Sequence, residues 1–247
     1  MPPKEKLNRQ KILGRLQNFF GKDVFVFVSE RPVDFSLAKS APLFSSQQKN
    51  LFKRRGSLKF SRVLNIRQIH GCRILCVTGE NDWPQRKIRR ADGLMTCASH
   101  IPLAVRIADC LSIFMFDPKT KTIALVHAGW RGSRKQIAKK AVLLMKRKFG
   151  ARAENLKITF GPCIRSCCYQ VSVPFKNYFP REVKKRNNQY YLDLPLVNKN
   201  QLIQAGVEKR NIFDSRLCTF CDQHFFSFRR QGKKAGRMIS LIMRKSS

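Results

Sequence analysis

Apolar residues in this chain come in short runs set apart by polar and basic stretches, and the length of each run decides the element it predicts. VFVFV at 24–28 is strand-length, and further strand-like runs lie at 63–69, 74–77, around Leu94, and at 103–107, 112–116, 123–126, 156–160 and 238–242. Residues 1–20 predict a short amphipathic helix. After residue 132, in SRKQIAKKAVLLMKRKFG, the positions Ile137, Ala141, Leu144, Met145 and Phe149 form one apolar stripe, with Lys135, Lys139, Lys146 and Arg147 largely off it. Gly150 stands where a C-cap glycine belongs, and Lys146, Arg147 and Lys148 complement the helix's negative end. Helical stretches are also expected near Val173 and over 196–205. Residues 29–60, with Pro32, Pro42 and the KRRG cluster, and the polar stretch 78–90 predict irregular chain. Strands and helices mix without strict alternation, which predicts an α/β or α+β layered sandwich.

Composition narrows the class. With 247 residues, 43% hydrophobic and 10% aromatic, the chain has the material for a real core, and a disordered polycation is excluded. The longest apolar stretch, 101–116, is broken by Arg106 and Asp109, so no membrane span is expected. The start has no apolar h-region with a small-residue cleavage site, and nine cysteines are an odd number. Reduced thiols in a cytoplasmic protein are the expectation.

Charge is the most unusual bulk property: 50 Lys+Arg against 15 Asp+Glu give a formal net charge of +35. That suggests nucleic acid or an anionic surface as partner. The excess is spread along the chain, however, and no zinc-finger spacing, RNP pattern or heptad array accompanies it. Surface composition explains it better, with nucleic-acid contact non-specific at most. Residues 91–130 stand apart, because Arg106, Lys119 and Lys121 are balanced there by Asp92, Asp109 and Asp117. Buried strands and the chemistry are expected in this neutral block.

Two of the four histidines have informative neighbours. ADCLSIFMFDPKTKTIALVHAGW holds two strand-like runs joined by a polar stretch, residues 117–122, which reads as a hairpin turn. A turn centred near Pro118 and Lys119 sets Cys110 opposite His127 or its neighbour, within reach of one metal ion. His70, before Gly71 at the tip of a strand-like run, completes a Cys-His-His set, the ligand count of a catalytic zinc with one position open. From spacing alone, ordinary core or surface histidines remain an equal reading.

QIHG (residues 68–71), ADGLMT (91–96), ADC (108–110), HAGWRG (127–132), FGPCIRSCCYQV (160–171), Cys218-Thr219 and SFRR (227–230) follow in this order. Over residues 60–243 the chain resembles the multicopper polyphenol oxidase, or laccase-domain, family, whose members are also described as zinc-dependent purine nucleoside phosphorylases. The resemblance implies one domain over residues 1–247, a layered α/β/α sandwich with a mixed sheet, and one zinc ion on His70, Cys110 and His127. It further implies phosphorolysis of adenosine, inosine, guanosine and methylthioadenosine, and deamination of adenosine. Bacterial relatives are also described as peptidoglycan-editing factors, an amidase reading in which a wrong amino acid is removed from a UDP-linked cell-wall precursor. There a metal-free Cys110 beside His127 would be a thiolate nucleophile. A third reading is a degenerate enzyme that binds nucleic acid through its basic surface; the intact trio argues against it.

The oxidase name fits poorly with four histidines, of which His100 and His224 lie outside the matching motifs; copper is not expected. Phosphorolysis needs an anion site, and Arg131, just before an expected helix start at Gly132 and Ser133, is the candidate for phosphate. Arg31, in SERPVDFSLA, is carried over as a substrate contact from a family segment that this chain matches only in part. Gln170 stands where the family often has glutamate. Cys218-x-x-Cys221, with Cys163, Cys167 and Cys168, invites a structural zinc, but buried thiols are the preferred reading. Trp130 is expected to be a core anchor.

Overall fold

The computed structural model describes residues 3–36, 48, 63–79 and 88–245. Among the described residues there are fourteen strands: β1 (Val24–Val28), β2 (Leu64–Arg67), β3 (Ile74–Val77), β4 (Arg89–Arg90), β5 (Gly93–Thr96), β6 (Leu103–Ile107), β7 (Leu111–Asp117), β8 (Thr122–Ala128), β9 (Lys157–Phe160), β10 (Gln170–Val171), β11 (Val183–Arg186), β12 (Gln189–Leu192), β13 (Ile212–Asp214) and β14 (Met238–Arg244). The described residues include the α-helices α1 (Pro3–Asn18), α2 (Trp130–Arg134), α3 (Ile137–Phe149), α4 (Phe175–Tyr178), α5 (Leu194–Gln204) and α6 (Phe228–Gln231). Much of the expected irregular stretch 29–60, and most of the loop 78–90, lie outside the described residues.

Two mixed sheets stack face to face. One has the order β1-β14-β6-β2-β4 and the other β13-β9-β7-β8-β5-β3, while β10-β12-β11 forms a small third sheet. The expected α/β class with mixed strand directions is what is seen, with the β-layer doubled. Strand periodicity makes this stack: Phe114 and Phe116 on β7 and Ile123 and Leu125 on β8 face Val26, Leu103, Val105 and Ile107 of the other sheet. Their alternates, Ile113, Met115, Ala124 and Val126, face the opposite way and pack under α3 and α5. Covered on both sides, β7 and β8 are buried at every position, which is why they read as continuous apolar runs. The outer face of the five-stranded sheet is covered by Phe35 and Val63. No helix among the described residues is long and apolar enough to cross a membrane.

The helix expected from residue 133 is in fact two. Lys135 ends α2, Gln136 takes a left-handed φ of 60°, and α3 then runs to the expected cap at Gly150, φ 68°. Tertiary contacts impose the break: Ser133 is buried in α2, where Asn198 donates to its hydroxyl at 2.9 Å and Gln201 to its carbonyl at 2.7 Å. The apolar stripe survives with small changes, since Ile137, Ala138, Ala141, Val142 and Met145 are buried while Leu144 and Phe149 are only partly so. The two- and three-residue strands β4, β10 and β13 and the four-residue α6 carry too little periodicity to announce themselves.

Candidate active site

Side chains from both sheets converge at one end of the gap between them. Ser112 on β7 pairs with His127 on β8, and Leu111 with Ala128. The turn is centred one residue later than expected, between Lys119 and Thr120. Continuing that register sets Cys110 opposite Gly129, and His127 becomes the diagonal neighbour of Cys110 on the same face. Gly129 permits this approach: a Cβ there would stand 2.9 Å from Cys110 Sγ and 3.5 Å from His70 Cδ2. Gly132 is equally constrained, because its Cβ would meet the Gly71 carbonyl oxygen at 2.7 Å. These two glycines dock α2 against the His70 loop.

His70 comes from the other sheet, in the loop after β2, with φ 55°. Its loop wraps around Asp92. The amides of Ile69, His70 and Gly71 donate to that carboxylate at 3.4, 2.8 and 2.7 Å. His127 also donates to it, Nδ1 to Oδ1, at 3.0 Å. Asp92 therefore orients both imidazoles, one through its ring and one through its backbone, and the rings meet edge to face with centroids 4.9 Å apart. Asp92 stands in the ADGLMT motif, where the sequence alone assigns it no role. The signal was there: a metal-ligating histidine usually donates its second nitrogen to a carboxylate, and the neutral block offers only three.

The electrostatics follow from this packing. Burial opposes ionisation of Asp92, but hydrogen bonds from His127 and from the amides of Gly71 and His70 outweigh it and hold its pKa below the ordinary value. Burial likewise opposes a Cys110 thiolate; the charge of His127 and hydrogen bonds from His127 and His70 prevail and bring it down to about 6. His127 is raised to about 9, because Cys110 and Asp92 together overcome its burial. The resting pair without metal is thiolate and imidazolium.

The donor atoms of His70, Cys110 and His127 all lie within 4.8 Å of one another. Donors on a single tetrahedral zinc sit about 3.3–3.8 Å apart, so this set fits one ion with small adjustments. The hydrogen bond from Nδ1 of His127 to Asp92 leaves Nε2 for the metal, the arrangement seen in carboxylate–histidine–zinc sites.

The trio opens on a cavity of about 680 Å³ whose wall is strongly cationic: Arg67, Arg106, Arg131, Arg229 and Arg237 line it, with Asp109 as the one acid among the described residues. Asp109 is already engaged, accepting from Thr219 Oγ1 and from the Arg229 amide, both at 2.6 Å. Arg106 is the buried member. Gln68 holds its backbone on both sides, at 2.7 and 2.8 Å, and its Nε donates to the Phe35 carbonyl at 2.6 Å. Its Nη1 is buried without a partner among the described residues, and burial lowers the guanidinium to about 10. In the sequence Arg106 reads as an interruption of an apolar run and as one charge of the neutral block, with no binding role.

Other expectations need adjustment. Arg131 lines the cavity, but it is the second residue of the short α2 and does not stand just before a long helix; its guanidinium rests over the Trp130 ring, 4.5 Å from the centroid. Arg31 is not among the lining residues. It sits over Phe226 at 5.4 Å and donates to the Gln223 carbonyl at 3.1 Å. Trp130 is half-buried at the cavity wall, packed on Phe175 and Tyr178, and not a deep core anchor. Gln170 is exposed and outside this cavity. The reading of buried thiols holds for Cys163 but not for Cys167 and Cys221, which are exposed and cluster with Cys168 and Cys218.

Comparison with known proteins agrees with this architecture. The family described as multi-copper polyphenol oxidoreductase laccase matches residues 45–245. A purine nucleoside phosphorylase of Borreliella burgdorferi is 32% identical over 217 residues, covering 84% of this chain and 87% of that protein. A protein named adenosine deaminase RL5, from an unknown prokaryotic organism, is 32% identical over 194 residues, 72% of this chain and 74% of its own length. The crystal structure of YlmD from Geobacillus stearothermophilus superposes with a TM-score of 0.81 at 26% identity, over 91% of this chain and 93% of that one. With the matched region spanning most of its length, this chain belongs to the multi-copper polyphenol oxidoreductase laccase family.

Proposed function

We propose that this protein is a cytoplasmic purine nucleoside phosphorylase, a single domain over residues 1–247, that also deaminates adenosine and holds one zinc ion in this site on His70, Cys110 and His127. The observation that carries the reading is the junction of a Cys-His-His group with an arginine-lined, aromatic-walled cavity. When bound, zinc would supply Lewis-acid polarisation at its open position. The protein's own groups do the rest. Asp92 fixes the tautomer of His127 and the loop that carries His70. Trp130, Tyr169 and Phe228 offer apolar faces for a purine base. Arg106, whose Nη1 has no partner among the described residues, and Arg131 and Arg229 line the cavity and could neutralise phosphate, the co-substrate that phosphorolysis requires. Adenosine, inosine, guanosine and methylthioadenosine are the substrates proposed.

The test is turnover of adenosine and inosine with and without phosphate, followed by chromatography. Phosphate-dependent release of adenine and hypoxanthine, phosphate-independent conversion of adenosine to inosine, and loss of both on chelation with recovery on adding zinc are expected. A Cys110→Ala variant with full activity would overturn the site assignment.

A second reading has an observation of its own. Cys110, His127 and Asp92 form a thiolate–imidazole–carboxylate array, the arrangement of a cysteine nucleophile with its base and orienting acid. On that reading Cys110 attacks an amide carbonyl of a UDP-linked cell-wall precursor, the amine leaves with a proton from His127, and water releases the acyl group. Hydrolysis of such a precursor by chelated protein, with no turnover of nucleosides, would select it.

A further inference from the structure

The cysteine cluster lies behind the cavity wall, on two turns. One turn, with the amides of Cys168 and Tyr169 bonded to the Arg165 carbonyl at 2.9 and 2.8 Å, carries Cys167 and Cys168. The other, with the Asp222 amide bonded to the Cys218 carbonyl at 3.0 Å, carries Cys218 and Cys221. A lone C-x-x-C in sequence says little, but folding brings a second pair to it.

Four sulfurs then lie within 4.8 Å of one another. Cys167 Sγ is 3.6 Å from that of Cys218 and 3.7 Å from that of Cys221, and Cys168 Sγ is 3.2 Å from Cys221. A tetrahedral zinc with Zn–S of about 2.3 Å spaces its sulfurs about 3.8 Å apart, which two of these separations approach closely. A disulfide would account for only two of the four, at about 2.05 Å. An iron–sulfur cluster needs its cysteines spread around a polynuclear core, so the close spacing selects a single ion. Cys218 Sγ also accepts from the amides of Cys221, Phe220 and Arg165, an arrangement suited to a metal-bound thiolate. Arg186 donates to the Cys167 carbonyl at 3.0 Å and sets a cation beside a site that would carry two negative charges.

We propose that Cys167, Cys168, Cys218 and Cys221 hold a second zinc ion, structural and four-coordinate, which clamps these two turns together. Binding converts four thiols to thiolates and releases their protons to solvent. With all four positions taken by sulfur, the ion has no open position for substrate. Its consequence reaches the cavity through the chain. Ile164 and Tyr169, flanking the first pair, line the cavity, and Thr219, inside the second pair, donates to the cavity residue Asp109. Cys163 stays outside the ligand set, fully buried and tied to the second turn by its amide, which donates to the Leu217 carbonyl at 3.3 Å.

The test is zinc content of the full-length protein, purified without chelator, by plasma mass spectrometry, with the intact mass measured in parallel. Two zinc ions per chain are expected in the wild type and one in Cys221→Ser. Cys110→Ala should also hold one, and the double variant none. Zinc retained by Cys110→Ala and lost from Cys221→Ser supports the second site whatever becomes of the first. Should Cys221→Ser fail to fold, alkylation of the wild type decides: these four thiols should resist reagent in the native protein and react after chelation. Equally fast alkylation before and after chelation, an intact mass two hydrogens lighter from a Cys168–Cys221 disulfide, or unchanged zinc in folded Cys221→Ser overturns the proposal.

Discussion

Oδ1 of Asp92 lies 3.0 Å from Nδ1 of His127, and the same oxygen accepts the backbone amide of His70 at 2.8 Å. One buried carboxylate thus sets the positions of two candidate metal ligands that come from different sheets. Replacement by asparagine keeps the shape but turns one acceptor into a donor and removes the charge. Asp92→Asn should lower zinc affinity and kcat/KM by roughly 10–100-fold, the usual effect of losing such a partner. Competition with a chelator of known affinity measures the first and nucleoside turnover the second. Unchanged zinc affinity would show that Asp92 serves folding alone.

Gly129 gives a steric test. A methyl group there would lie 2.9 Å from Cys110 Sγ, closer than real Cβ contacts come, with β8 and α2 fixed on either side. Gly129→Ala should displace the thiolate, reduce zinc at the trio to a minor fraction and abolish turnover, while leaving the far-ultraviolet circular dichroism of the folded chain. Full zinc content in this variant would mean that Cys110 is not a ligand.

Most strands were legible because their runs are buried on both faces or alternate cleanly; Val24–Val28, Ile74–Val77 and Leu103–Ile107 fall on the expected residues. The trio was legible for a different reason. Against the alternative that sets Cys110 opposite His127 itself, the observed hairpin register is shifted by two positions, and the side-chain period of two keeps Cys110 and His127 on one face. The break at Gln136 was not legible, because the hydrogen bonds that impose it come from Asn198 and Gln201, far along the chain. The same holds for Arg106, whose partners Gln68 and Phe35 lie far along the chain, whereas the cysteines were in view as a candidate set and only folding brings Cys167 and Cys168 to Cys218 and Cys221.

The thiolate of Cys110 can be read directly in metal-free protein. Its pKa is lowered to about 6 from 9.0, since the charge and hydrogen bond of His127 outweigh burial. A lowered thiol pKa means the anion persists at neutral pH and is lost only as pH falls through that value. Alkylation of Cys110 by iodoacetamide, followed by peptide mass spectrometry, should have its midpoint near pH 6. His127→Gln removes the cation and should move the midpoint upward, toward or beyond the ordinary thiol value. A wild-type midpoint near 9 would show that no ion pair forms.

Arg106 separates the two nucleoside reactions. Its Nη1 is buried and unpartnered among the described residues, and its side chain lines the cavity, so an anion there would gain a charge-assisted hydrogen bond with little competition from water. Phosphorolysis needs that anion, whereas deamination consumes only water and nucleoside. In Arg106→Gln the KM for phosphate should therefore rise about 10- to 100-fold, from the roughly 1.5–3 kcal/mol that a hydrogen bond to a charged group contributes. The kcat/KM for deamination of adenosine should stay within about 3-fold of wild type, within the ordinary scatter of such effects. Gln68 holds the backbone of residue 106 independently of its side chain, which favours a folded variant. Equal losses in both reactions would place Arg106 in the scaffold, and an unchanged phosphate KM would move the anion site to Arg131 or Arg229.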